Sequence, residues 1–540
     1  MVRSMNSRSE SAKTVGTSTP RNARALLAEV AEARARVSDE GRPDAVARQH
    51  GRGKLTARER IARLCDPGSF REYGGLVKPV KDNPYNQDVD APADGVVTGT
   101  GLIGGMPVTI CANDYTVLGG SLGTIGMNKF IRSAERAGNA GMPYIMLMEG
   151  GGHRIQDGLD SRHFAMGFSL WNVLAKMSGW VPIVSAVMGP GFAAATNFSA
   201  IADFVIMTRH NTAMGMAGPA LVKAGTGETV SIAELGSAEL QADRHGIAHL
   251  AVDDDEQCLK AIKRYLSFLP KNASFPAPRL PADDPADRRA EELLDIVPAN
   301  LRQAYDVRKV VNAVADRGSI FEIQPTYARN IVVCFARLDG QPVGFIANQP
   351  MQSAGMLDAN ACEKAAHFIA VCDAFGLPLI YLVDVPGFAI GSKAEATALG
   401  RRSGRMLYEL GRSTVPRLSV IMRKGYSGAF CAMNGGGPSF DADACYVWPT
   451  AEISALSVEG AVDVVYRKDY EKAADPAARR QEMIDEFKGH LGALRAVEHF
   501  FIDDVIDPRD TRAILIRTLK DCPARHLNKP FPRHRSISPI

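Results

Sequence analysis

Val181-Pro182-Ile183-Val184-Ser185-Ala186-Val187-Met188-Gly189-Pro190-Gly191-Phe192-Ala193-Ala194-Ala195 returns 234 residues later. The second copy is Val415-Pro416-Arg417-Leu418-Ser419-Val420-Ile421-Met422-Arg423-Lys424-Gly425-Tyr426-Ser427-Gly428-Ala429. Each copy is a largely apolar run followed by small residues. Apolar residues on both faces of a strand suit a sheet covered on both sides. Outward from this pair, Gly141-Met142-Pro143-Tyr144-Ile145 matches Gly376-Leu377-Pro378-Leu379-Ile380 at an offset of 235. Lys129 matches Lys364 at that offset, Ala112-Asn113 matches Ala347-Asn348, and Gly105-Met106-Pro107-Val108 matches Gly340-Gln341-Pro342-Val343. One offset held through so many elements predicts an internal duplication. The periodicities predict strands over 143–148, 182–188, 378–383 and 417–422, with helices over 124–140 and 359–375. Each half is then a layered α/β unit.

The length of 540 residues exceeds what one hydrophobic core supports. The expected division is 1–50 (a disordered tail over 1–20 and a surface helix over 22–37), 51–290 and 291–540. A proline-rich linker over 270–298 joins the halves. Net charge is +3 with both signs mixed, so nothing favours nucleic acid or a membrane as a partner. Nine cysteines without a C-x-x-C pair speak against a zinc ribbon, and no metal site is expected. They suit a reducing compartment. No signal core is present. The Ser/Thr-rich first 20 residues read as a bacterial, cytoplasmic N-terminus, with a mitochondrial-matrix presequence as the alternative.

Four small-residue turns end the buried strands. They are Glu149-Gly150-Gly151-Gly152-His153-Arg154, Gly189 to Ala195, Asp384-Val385-Pro386-Gly387-Phe388, and Lys424 to Ala429. Small residues there let main-chain N–H groups face a cavity at a helix start, where they can hold a carboxylate, a phosphate or a developing oxyanion. Tight strand–helix packing selects the same residues, and recurrence in both halves favours function. His153 is open between acid–base work, a phosphate contact and a capped loop. Glu149 and Asp384 at equivalent strand ends read as caps of the turns that follow. Gly99 to Gly104 fits G-x-G-x-x-G but precedes a strand, which excludes a dinucleotide site. Ser427 lacks the final glycine of a nucleophile elbow and reads as a packing residue.

With Gly53-Lys54-Leu55-Thr56-Ala57-Arg58-Glu59-Arg60-Ile61, Leu118-Gly119-Gly120-Ser121-Leu122, Asp384-Val385-Pro386-Gly387-Phe388 and Trp448-Pro449-Thr450-Ala451-Glu452, the chain resembles carboxyltransferase (beta) subunits of biotin-dependent acyl-CoA carboxylases. The propionyl-CoA carboxylase branch is the nearest within that family. The resemblance spans about Gly51 to Arg512. It implies two tandem crotonase-like domains and transfer of a carboxyl group from carboxybiotin to the α-carbon of an acyl-CoA. Biotin arrives on a biotin carboxylase/biotin carboxyl carrier subunit, and the chain forms a homo-oligomer, usually a hexamer.

Both reactants develop an oxyanion, so two backbone-donor sites are implied. By resemblance these are Ala193, Ala194 and Ala195 in one half and Gly428 and Ala429 in the other. Gly119, Gly120, Gly151, Gly152, His153 and Arg154 are implied on the acyl-CoA side, and Pro386, Gly387 and Phe388 on the biotin side. The chain departs from the family at four places. Asp-Ser-Gly-Gly-Ala-Arg appears as Glu149 to Arg154, Ala-Gly-Gly-Ala as Phe192 to Ala195, and Gly-Gly as Thr397-Ala398. The aspartate that bears on acyl choice is Cys431. Alanine keeps a donor N–H in place only where φ stays negative. The departures predict an altered acyl pocket. A biotin-dependent decarboxylase, or a non-catalytic paralogue scaffolding a mixed carboxylase complex, are the alternatives.

Overall fold

The computed structural model describes residues 22–165, 169–436, 442–525 and 535–538. The tail expected over 1–20 lies outside them. Among the described residues, sixteen strands form two sheets. In the first half these are β1 (Arg71–Tyr73), β2 (Val96–Ile103), β3 (Met106–Asn113), β4 (Tyr144–Gly150), β5 (Ile183–Phe192), β6 (Phe204–Thr208), β7 (Ala213–Gly215) and β8 (Leu250–Val252). In the second they are β9 (Phe321–Ile323), β10 (Ile331–Leu338), β11 (Gln341–Asn348), β12 (Leu379–Val385), β13 (Arg417–Tyr426), β14 (Ala444–Val447), β15 (Glu452–Ser454) and β16 (Asp504–Val505). The first sheet runs β1-β2-β3-β4-β5-β6-β8 with β7 on β5. The second runs β9-β10-β11-β12-β13-β14-β16 with β15 on β13, which is the same topology.

The duplication extends to register. Thr109 pairs with Tyr144 and Gly344 with Leu379, in parallel. Both sheets break register at one place, between Met148 and Gly150 and between Val383 and Val385. The helices that matter below are α1 (Ala23–Val37), α2 (Ala57–Leu64), α3 (Thr124–Ala140), α4 (Ala194–Ile201), α5 (Asp255–Leu266), α6 (Ala359–Phe375), α7 (Leu399–Arg412) and α8 (Ser427–Ala432). α3 ends at Gly141 and α6 at Gly376, both left-handed, so each chain reversal into the next strand uses a glycine.

Each long helix anchors its half with a buried lysine. Lys129 donates to the carbonyls of Gly74, Ala93 and Val96. Lys364 donates to those of Gln324, Tyr327, Ala328 and Ile331. Carbonyls that could not pair within strands are thereby satisfied. The halves also share a core: Ile145, Leu147 and Phe204 of the first lie in one apolar cluster with Ile346, Phe368 and Tyr381 of the second. The segment read as a linker is packed rather than free. Leu280 donates to Gly340 across the β10–β11 turn, and Ala290 and Leu293 are buried in the second half's core.

Two readings need correction. Gly189, Pro190 and Gly191 are strand, not turn: Pro190 pairs with Ala213 and Gly191 with Met214. Their small size is a packing demand, since a Cβ on Gly189 would sit 2.4 Å from Glu149 Cγ. Glu149 and Asp384 are not caps of their own turns. Glu149 accepts from Arg60 at 2.5 Å and Gln49 at 3.0 Å, both far away in sequence. Asp384 accepts from Arg423 at 3.0 Å and from the Lys424 N–H at 3.2 Å.

Candidate functional site

The reversal after β5 is made at Ala193, with φ 58° and ψ −126°. The reversal after β13 is made at Ser427, the equivalent residue, with φ 60°. Both are left-handed positions occupied by non-glycine residues, a strain of about 1–3 kcal/mol each. The negative-φ condition therefore fails at Ala193, and its N–H is committed to the Gly215 carbonyl at 2.9 Å. Ala193 shapes the turn rather than donating. Ala194 and Ala195 open α4, where N–H groups have no intrahelical partner. Ala398 likewise keeps φ 56° where the family has glycine. Ala193→Gly is expected to stabilise the fold by about 1 kcal/mol, the released strain less the entropy cost of glycine. Chemical denaturation of the two proteins checks this.

In each half the first glycine turn lies against the second. A Cβ on Gly152 (φ 89°) would lie 3.2 Å from the Phe192 carbonyl oxygen and 3.3 Å from Ala193 Cβ. A Cβ on Gly387 (φ 142°) would lie 3.3 Å from Ser427 Oγ, and one on Gly428 would lie 3.7 Å from Phe388 Cε2. The loops are latched alike. Leu122 donates to Gly152 O and receives from the Arg154 N–H, both at 2.8 Å. Leu357 donates to Gly387 O at 3.1 Å and receives from the Ala389 N–H at 2.8 Å. Pro386, Gly387 and Phe388 thus stand beside Ser427, Gly428 and Ala429, as Gly151, Gly152 and His153 stand beside Phe192 to Ala195.

The remaining expected residues divide by burial. Arg154 is buried, with its guanidinium 2.6 Å from Asp94, so it braces the turn. Gly120 is a wedge: a Cβ there would meet the Glu149 carbonyl oxygen at 2.0 Å. Gly119, at φ 61°, faces open space, as does Gly151. Burial holds His153 below the ordinary imidazole range, so the ring is neutral at pH 7. It packs edge-on to Phe164 at 5.8 Å. Cys431 is half-buried, and burial pushes its thiol up, leaving it uncharged at pH 7. Beside α8, a pocket of about 260 Å³ is lined by Phe430, Ile453, Leu491 and Phe501 together with His490 and Arg495.

Ser427 Oγ accepts from the Ala429 N–H at 3.3 Å. Among the described residues it has no hydrogen bond to a side chain that could act as a base, unlike an activated serine. Ser427→Ala is expected to change turnover by no more than about tenfold, the scale of one net hydrogen bond. Steady-state kinetics of the variant would show this.

The motif Gly53 to Ile61 explains how the site is supported. Thr56 and Glu59 form a capping box that starts α2. Arg60 then reaches Glu149 at the end of β4 and, at 2.8 Å through Nε, Asp255 of α5. Lys54 is buried and donates to Thr208 at 2.8 Å. In the sequence these residues show only as a dense run of charges entering a short amphipathic helix.

The carboxyl transferase domain family matches residues 48–537. The carboxyltransferase subunit of propionyl-CoA carboxylase from Haloferax mediterranei is 41% identical over 512 residues, covering 94% of this chain and 98% of its own. The alpha subunit of methylmalonyl-CoA decarboxylase from Veillonella parvula is 38% identical, covering 93% and 97%. The solved transcarboxylase 12S, a hexamer with methylmalonyl-coenzyme A bound, superposes with a TM-score of 0.90 at 37% identity, covering 97% of this chain and 99% of its own. Paired backbone-donor turns in a duplicated crotonase-like fold, matched along nearly the whole length, lead to one conclusion: the chain belongs to the carboxyl transferase family, as a carboxyltransferase of the biotin-dependent acyl-CoA carboxylase type.

Proposed function

We propose that the chain accepts acyl-CoA against its first half, at Gly119, Gly151, Gly152 and His153, and the ureido ring of biotin against its second half, at Pro386, Gly387 and Phe388. Gly120 and Arg154 hold the first loop in shape. The Ala194 and Ala195 N–H groups receive the thioester oxyanion, and those of Gly428 and Ala429 the ureido oxyanion. When bound, biotin brought by a biotin carboxylase/carrier partner supplies the carboxyl group and the base for the α-proton. A pair of N–H donors beside the Phe388 ring fits a flat, cyclic urea. Fixed donors aimed at developing charge need no reorganisation in the reaction, and removing one typically costs about 10²–10³ in rate.

The observation that carries this reading is the matched pair of strained turns at Ala193 and Ser427, each opening a helix after a buried strand. Large apolar side chains stand exposed beside both: Ile155 (74%) and Met216 (66%) by the first, Ile390 (89%) and Phe501 (59%) by the second. A homo-oligomer that joins the two halves of neighbouring copies would cover these side chains. The first half of one copy then faces the second half of another, in a homo-oligomer up to a hexamer. Cys431, half-buried and uncharged where the family has an aspartate, points to an acyl group that differs from propionyl. Purification with the co-expressed biotin subunit, followed by carboxylation of a panel of acyl-CoAs, tests all of this. A correctly assembled complex inactive on every thioester would overturn it. The decarboxylase relatives support a second reading, in which the same site runs in reverse. Co-purification with a membrane subunit in place of a biotin carboxylase would favour that one.

A further inference from the structure

Between the halves, four buried polar side chains line one cavity of about 10 Å³. They are Asp203 before β6, His249 before β8, Tyr265 on α5 and His367 on α6. Their exposures are 2%, 1%, 1% and 5%. Each carries one polar atom without a hydrogen-bond partner among the described residues: Asp203 Oδ1, His249 Nε2, Tyr265 OH and His367 Nδ1. Burying four such atoms unpaired would cost about 1–3 kcal/mol apiece.

The bonds these side chains do make fix what the free atoms can offer. His249 Nδ1 accepts from the Val205 N–H at 2.8 Å, so the ring proton is on Nε2, which is a donor. His367 Nε2 donates to the Asp203 carbonyl at 3.1 Å, so Nδ1 is an acceptor. Asp203 Oδ2 accepts from the Ile183 N–H at 2.8 Å, leaving Oδ1. The Tyr265 hydroxyl can donate or accept. The two imidazoles are 5.0 Å apart, and Phe204 stacks on Tyr265 at 4.3 Å, closing the site with apolar walls.

We infer that this cavity is a binding site for one water molecule, which joins the two halves and makes their junction labile to acid. The water accepts from His249 Nε2–H and from the protonated Asp203 Oδ1–H, and donates to His367 Nδ1 and to the Tyr265 hydroxyl oxygen. The volume is that of about one water, and two to four polar partners is what a buried water needs. Both histidines are held neutral. Burial pushes His367 down to about 4, and burial together with the facing His367 ring pushes His249 well below the ordinary range. The other groups facing the cluster are Asp203, raised by burial to about 8, Tyr265, Cys372 and Arg405. The Ser538 backbone also faces the His367 ring from the C-terminal segment and favours its charged form, against the larger effect of burial. Protonating His367 Nδ1 turns its acceptor into a donor, and the water then loses a partner it cannot replace.

A folded pKa below the unfolded value of about 6.5 means the histidines contribute stability above that pH and lose it as pH falls toward 4. Asp203 has the opposite sign: its contribution is lost as pH rises from about 4 through about 8, so it offsets part of the histidine effect in acid, and the double variant is what isolates the histidines. A high-resolution crystal structure of the full chain at pH 7.5 should show one ordered water within hydrogen-bonding distance of all four atoms. Unfolding at pH 5 should take up about two more protons in the native protein than in a His249→Gln/His367→Gln double variant, and its acid limb should be correspondingly steeper. A cavity free of density, or one filled by a metal ion, would overturn the water site. Equal proton uptake in the two proteins would overturn the acid lability. If the double variant does not fold, the native protein's own slope between pH 6.5 and 4 decides the second point. None of these readouts depends on carboxyl transfer, so the outcome is independent of the catalytic reading.

Discussion

Gly428→Val is expected to lower carboxyl transfer by about 10²–10³-fold, the effect of removing one preorganised oxyanion donor. The stability of the isolated chain should change little. Gly428 does not need a left-handed backbone, and a single Cβ would stand 3.7 Å from Phe388, an ordinary contact. Gly428→Ala should therefore be tolerated. Valine adds two methyl groups that turn toward either the Phe388 ring or the mouth of the donor pair. Either choice displaces the reactant from N–H groups that must approach it to about 2.7–3.1 Å. The loss should fall in kcat, because the donors act on charge that develops in the transition state. Steady-state kinetics of Ala and Val variants, with unfolding midpoints measured alongside, separate this from misfolding. A Val variant with native kcat would exclude the second turn from catalysis.

Arg60→Met is expected to destabilise the first half by about 3–5 kcal/mol, the usual consequence of stripping one partner from a buried ion pair. Arg60 is 1% exposed, and it is shared between two carboxylates on different elements. Glu149, fully buried, would keep only Gln49 and the more distant Arg52 at 3.3 Å. Asp255 would keep the Leu55 N–H and Lys54 at 3.7 Å. The same change should lower activity beyond its effect on folding, because Glu149 immediately precedes the first glycine turn and fills the space over Gly189. Adding Glu149→Gln should return part of the lost stability by removing the uncompensated charge. Urea unfolding of the single and double variants measures this coupling, and additive losses would contradict it.

The helices expected over 124–140 and 359–375 are found as Thr124–Ala140 and Ala359–Phe375. They were legible because a left-handed glycine closes each one and an apolar pattern fills it. The strands expected to end at Met188 and Met422 instead run on to Phe192 and Tyr426. Gly189, Pro190 and Gly191 look like a loop in isolation. They remain strand because the short β7, on β5, supplies the missing partners. Such pairing is a property of segments distant in sequence, and local propensity does not report it. The same holds for Arg60, Lys54 and Glu149, since Arg60 for one finds Asp255 195 residues away.

The chain by itself determined the duplication, the α/β class and the family. Those rest on covalent order: a repeat offset survives in the list of residues, and helix and strand periods are local. Tertiary structure alone decided which alanine N–H groups are engaged and which open a helix. Ala193, Ala194 and Ala195 are indistinguishable as side chains. Their roles separate only because β7 captures the Ala193 N–H and forces its φ positive, while the next two residues begin a helix with open N–H groups. Tertiary structure also brought Asp203, His249, Tyr265 and His367 around one cavity. Backbone hydrogen bonds and side-chain convergence depend on packing, and packing between the halves is where sequence order stops predicting distance.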